Sequence, residues 1–147
     1  MKNEALVILM AEDDPDDCAL VVDALKESGI EHELRTVGDG EELLEYLRRE
    51  KRYAPPVLAP QPTLVISDIN MPRMNGHEAL AILKADPDLK RIPVVILSTS
   101  RAPNDVKRSY DLGANAYITK PFAFDALVDV LSKLDDYWLN TVTPSPR

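Results

Sequence analysis

Apolar residues gather in short runs along this chain, and the segments between the runs keep a different rhythm. Residues 5–11 (ALVILMA), 63–67 (TLVIS) and 94–97 (VVIL) are too short for helices and rich in β-branched side chains. Such runs predict buried strands of a parallel sheet. Residues 32–37 are mixed in character and predict a second strand near a sheet edge, and residues 117–119 predict a fifth. In between, the period becomes helical. Cys18, Val21, Val22 and Leu25 fall on one helical face, on a helix that Pro15 suits as an opening residue and Gly29 as a stop. EELLEYLRREKR predicts a second helix with Asp39 as its cap. Helices over about 76–85, 102–112 and 122–136 complete the pattern, the last carrying Ala123, Leu127, Val130, Leu131 and Leu134 on one face.

Strand and helix alternate five times with no repeats, which predicts an α/β fold: one doubly wound, five-stranded parallel sheet with five helices. Residues 1–136 form that domain, and residues 137–147 are a tail containing Trp138. Residues 53–62 (YAPPVLAPQP) hold four prolines and read as an irregular loop. Tyr137, Trp138 and Leu139 suit either a fold-back onto the domain or an apolar contact with a second protein.

Composition narrows the partners. The 147 residues suit one domain and carry a net charge of −8. That balance argues against nucleic acid and against anionic membrane surfaces. Apolar runs of about seven residues fall far short of the ~20 that span a bilayer, and the N-terminus lacks the pattern of a cleaved leader. The single cysteine, Cys18, reads as a small core residue and cannot form an internal disulfide. A cytoplasmic location is expected.

The strand ends carry the chemistry. Ligands of open α/β sheets bind outside the carboxyl ends of the strands. The first run ends in Glu12-Asp13-Asp14, the third in Asp68, the fourth in Ser98-Thr99-Ser100 and the fifth in Lys120-Pro121. Carboxylates, hydroxyls and an ammonium thus meet at one edge. Glu12, Asp13 and Asp68 bring three negative charges and Lys120 one positive charge, so one divalent ion makes the set neutral. Mg²⁺ suits few carboxylates, retained waters and phosphate oxygens better than Ca²⁺ does. Zinc is not expected, because His32 and His77 lack partners at ligand spacing; both read as surface residues. A carboxylate on a rigid strand end can accept a phosphoryl group as an aspartyl-phosphate. That chemistry needs positioning and charge neutralisation more than acid–base groups. Asp14, Asp16 and Asp17 read more simply as the acidic first turn of a helix.

AEDD, SDINMPRMNG, the hydroxyl after PVVIL, and AYITKPF occur in that order across residues 5–135. Together they resemble the receiver domain of two-component response regulators. The resemblance implies the flavodoxin-like strand order 2-1-3-4-5, for which a receiver is one of the standard examples. It implies that Asp68 is the phosphoacceptor, that Asp13 binds Mg²⁺ directly and that Glu12 acts through metal-bound water. Asn70 would complete the metal shell with its backbone carbonyl. Ser98 would bond the phosphoryl group and Lys120 would pair with its oxygen, oriented by a cis Lys120–Pro121 bond. Tyr117 would be the aromatic that moves with the Ser98 hydroxyl. The loop 53–62, DPDLKRIPVVILSTS, SYDLGANAYITK and YWLNTVTPSP are further similar to single-domain regulators paired with bacterial phytochromes. That resemblance implies a sensor histidine kinase as partner, no attached output domain, and a homodimer through the last helices and strand.

Two other functions compete. An Asp-nucleophile phosphohydrolase commonly needs a general acid two residues after its nucleophile, where this chain has Asn70. A receiver-like binding domain without phosphate chemistry would not need the full set Glu12, Asp13, Asp68, Ser98 and Lys120. The favoured expectation is a signalling domain, not an enzyme.

Overall fold

The computed structural model describes residues 6–120 and 124–135. Five strands, β1 (Leu6–Ala11), β2 (His32–Val37), β3 (Leu64–Ser67), β4 (Val94–Ser98) and β5 (Ala116–Thr119), alternate with five helices. These are α1 (Pro15–Glu27), α2 (Gly40–Arg48), α3 (Gly76–Ala85), α4 (Pro103–Asp111) and α5 (Phe124–Asp135). The strands form one sheet in the order β2-β1-β3-β4-β5, and every pairing is parallel. Fold class and strand order are as expected. The cis Lys120–Pro121 bond, the place of Ala123 and the tail with Trp138 lie outside the described residues.

Alternating side chains on the strands feed two cores. Leu9, Ala11, Val65, Val94 and Ile96 pack on α2 and α3 through Leu43, Leu44, Leu80 and Leu83. Ile8, Met10, Ile66, Val95 and Leu97 pack on α1 and α5 through Val21, Leu25, Leu127 and Leu131. The helices begin where the chain supplies caps. Asp14 accepts from Asp16 and Asp17 N–H ahead of Pro15, Asp39 accepts from Glu42 N–H, and Asn75 forms a capping box with Glu78.

Parallel register brings the strand ends together. Ala11 lies opposite Ser67 and Ser98 opposite Thr119, so the residues that follow these strands share one edge. The loop after β3 is fastened there. Gly76 N–H donates to the Ile69 carbonyl at 2.8 Å and Gly40 N–H to the Met74 carbonyl at 2.8 Å. A Cβ on Gly76 would lie 2.0 Å from the Asp68 carbonyl oxygen, and one on Gly40 would lie 2.6 Å from the Met74 oxygen. Arg73, at φ 62, reaches Asp39 Oδ2 through Nη2 at 2.6 Å.

One expectation is corrected. His77 is not a surface residue; it is 6% exposed because it lies three residues before buried Leu80 on the inner face of α3. His32 is partly exposed on the edge strand.

Candidate functional site

β1 ends in Glu12, which is buried, and Asp13, which is exposed. Asp68 follows β3, its N–H held by the Ala11 carbonyl at 3.0 Å, and its Oδ1 accepts from Ile69 N–H at 2.7 Å. Lys120 follows β5, where its N–H donates to the Ser98 carbonyl at 2.8 Å. Its side chain is buried, and its Nζ reaches Glu12 Oε1 at 2.6 Å, Asp17 Oδ2 at 3.0 Å and Asp68 Oδ2 at 3.4 Å. Carboxylates from two regions remote from Lys120, and from each other, therefore converge on one ammonium.

The electrostatics follow from that crowding. Burial would lower the Lys120 amine, but its bonds to Glu12 and Asp17 and the charge of Asp68 outweigh burial and raise it, so it stays protonated. Burial raises Glu12, and the Asp68 charge adds to the effect against the opposing pull of Lys120. Three carboxylates around one ammonium raise Lys120, and burial leads the rise of Glu12.

Ser98 is fully buried, and its Oγ accepts from Ser100 N–H at 3.2 Å. Tyr117 is half-buried, and its hydroxyl donates to the Ser100 carbonyl at 2.7 Å. The structure thus joins Glu12, Asp68 and Lys120 directly, and it links Ser98 to Tyr117 through Ser100. Asp13 and Asn70 are exposed and are not drawn into that cluster. Among the described residues, no three Asp, Glu, His or Cys side chains converge as a metal centre; the Lys120 ammonium stands among the carboxylates instead. The donor set nevertheless fits a hard divalent ion. Glu12, Asp13 and Asp68 at the strand ends bring −3 and Lys120 brings +1, leaving −2 on oxygen ligands alone.

Asp17 is the site residue that the sequence reading missed, having been taken for an acidic cap neighbour. The available signal is its spacing: it precedes buried Val21 by four residues, which puts it on the inner face of α1. Ser100 was likewise passed over beside Ser98.

A five-stranded parallel sheet with an acidic pocket and a lysine at its carboxyl edge defines a doubly wound domain of the receiver type. The family model described as the response regulator receiver domain matches residues 8–132, and the chain belongs to that family. It is 41% identical over 141 residues to response regulator Rcp1 of Synechocystis, covering 96% of this chain and 94% of that protein. The solved Mn²⁺-bound form of Rcp1 superposes with a TM-score of 0.84, covering 96% and 99% of the two chains at 40% identity. The phosphorylated cyanobacterial phytochrome response regulator RcpA is 42% identical, with a TM-score of 0.87 over 97% of this chain and 100% of that one. A response regulator in red light signalling of R. palustris is 32% identical, with a TM-score of 0.91 over 97% and 99%.

Proposed function

We propose that this chain accepts a phosphoryl group from a histidine kinase onto Asp68 and relays the signal by a change of conformation or of dimerisation. The observation that carries the reading is the Lys120 ammonium held among Glu12, Asp17 and Asp68, with the buried Ser98 at the neighbouring strand end. An Asp68 carboxylate oxygen attacks phosphorus, the O–P bond forms, and the P–N bond to the kinase histidine breaks. Lys120 then pairs with a phosphoryl oxygen. The Ser98 hydroxyl, which donates to no acceptor among the described residues, donates to another.

Glu12, Asp13, Asp68 and the Asn70 carbonyl would hold Mg²⁺. The bound ion would offset charge on the attacking and transferring oxygens. The exposed Asp13 carboxylate, with no partner among the described residues, suits such a ligand. The Mn²⁺-bound form of Rcp1 supports a divalent ion here. The phytochrome and red-light relatives support a bacterial phytochrome as the kinase partner. A homodimer would use the last helices and β5, beside Tyr110, which is 48% exposed. Residues 1–136 would form the receiver and residues 137–147 its tail. No helix among the described residues is long and apolar enough to cross a membrane.

Labelled acetyl phosphate with Mg²⁺ tests the acceptor. Wild type takes up label, Asp68→Asn takes up none, and chelation of Mg²⁺ stops uptake. Label retained by Asp68→Asn would overturn the assignment. Sizing with and without beryllofluoride tests the dimer, which should change its population on addition.

A further inference from the structure

Hydrogen bonds attach most of α4 to the domain, with apolar packing on the core from Leu112 at its C-cap. Its one buried residue is Ser109, and its N-cap Ala102 makes no side-chain cap bond. Ser100 is the hub at the first turn. Its N–H donates to Ser98 Oγ at 3.2 Å. Its hydroxyl donates to Asp105 Oδ2 at 2.5 Å and accepts from Ala102 N–H at 3.2 Å. Its carbonyl accepts from the Tyr117 hydroxyl. At the last turn, Ser109 Oγ donates to the Asp105 carbonyl at 2.8 Å. Its oxygen is left to accept from His77 Nε2–H at 2.8 Å.

His77 follows Gly76, whose Cα sits against the Asp68 carbonyl. Two routes therefore run to α4, one from Ser98 and one from beside Asp68. One passes through Ser98, Ser100 and Asp105 to the first turn. The other passes through Gly76, His77 and Ser109 to the last. The second is built to stay. Ser109 is 0% and His77 6% exposed, α3 is rooted by its capping box, and the Ser109 carbonyl also holds Ala114 N–H at 3.0 Å. The first is built to exchange, because Ser100 is only half-buried and the Ser98 hydroxyl hydrogen has no acceptor among the described residues.

We propose that Asp105 is a positioning residue through which the Ser98 hydroxyl sets the docking of α4, with the Ser109–His77 bond as the pivot. The inference rests on the reading that Ser98 bonds a phosphoryl group carried by Asp68. A Ser98 hydroxyl turned to that group draws its oxygen from the Ser100 amide. The Ser100–Asp105 bond is then lost, and the first turn of α4 lifts while the last turn stays on α3. The helix swings instead of detaching.

Hydrogen exchange of the full chain in Mg²⁺, with and without beryllofluoride, reads the swing, and fluorine NMR reads bound beryllofluoride independently. In wild type, beryllofluoride should speed exchange of the 101–106 amides about tenfold and leave the 109–113 amides within about twofold. Asp105→Ala should bind beryllofluoride, exchange fast at 101–106 before it is added, and show no further response. Asp105→Asn, whose amide oxygen still accepts from Ser100, should restore the response. His77→Leu should extend the response to 109–113. Equal responses at both ends of α4 in wild type, or a normal response in beryllofluoride-bound Asp105→Ala, would overturn the proposal. Absence of a bound fluorine signal in wild type would instead overturn the acceptor reading on which it rests.

Discussion

α3 and α4 stand in equivalent places, one after the strand that ends at Asp68 and one after the strand that ends in Ser98, yet they are fastened by different means. α3 opens with a capping box and buries Gly76, His77, Ala79, Leu80 and Leu83. α4 lacks a side-chain cap bond and buries only Ser109. A buried leucine contributes about 1.5–3 kcal/mol, whereas a hydrogen bond contributes about 0.5–1.5 kcal/mol net because water offers a replacement. The helix behind Asp68 is therefore held by contacts with no substitute. The helix behind the hydroxyl is held by contacts that another oxygen can replace. The proposed switch needs both, since a drifting Asp68 would lose in-line geometry for a phosphoryl group and a helix that could not move would report nothing.

The contrast can be broken in order of expected effect. Leu80→Ala should cost about 2–5 kcal/mol in urea denaturation, by lost burial and cavity formation; a loss below about 1 kcal/mol would mean that α3 is not the rigid partner. Ser109→Ala should cost about 1–3 kcal/mol, because the buried His77 ring loses its partner, and most of the loss should register as faster exchange in α4. Asn75→Ala should cost about 1 kcal/mol through the lost cap, with α4 exchange unchanged.

The smallest effect is a pH slope. Burial, aided by the Arg108 charge, holds His77 below its ordinary value against the pull of Asp105. The folded state thus binds its proton less readily than the unfolded state. The His77 contribution is complete above about pH 6.5, the ordinary histidine value, and falls as pH drops below it toward the folded value. Denaturation of wild type and His77→Gln between pH 5 and 7 should show a shallower fall for the variant; equal slopes would remove His77 as the cause.

The strand order came from the family resemblance, but the sequence yielded strands and helices well, because the central apolar runs are buried and bounded by caps or prolines. Glu12, Asp68 and Lys120 were legible for the same reason: a strand end is a position that local pattern can locate. Asp17 was not legible as a partner of Lys120. Their 3.0 Å contact joins residues 103 apart in sequence and exists only because β1 and β5 are brought to one edge by way of β3 and β4. His77 was misjudged because it stands at the polar opening of a helix, where exposure is the usual expectation. Its buried partner, Ser109, comes from a different helix, 32 residues on. Long-range polar pairs leave little trace in a local rhythm.

The loop between Asp68 and α3 has the look of a place that tolerates change, with Pro72 and Arg73 exposed at its tip. Its fastenings say otherwise. Gly76 has no room for a side chain beside Asp68, Met74 closes on Gly40, and Arg73 is clamped on Asp39. The seven residues 69–75 act as a ruler between Asp68 and α3. A spliced-in residue would have to break a fastening at one end, so the length of this loop should resist drift even where its side chains do not.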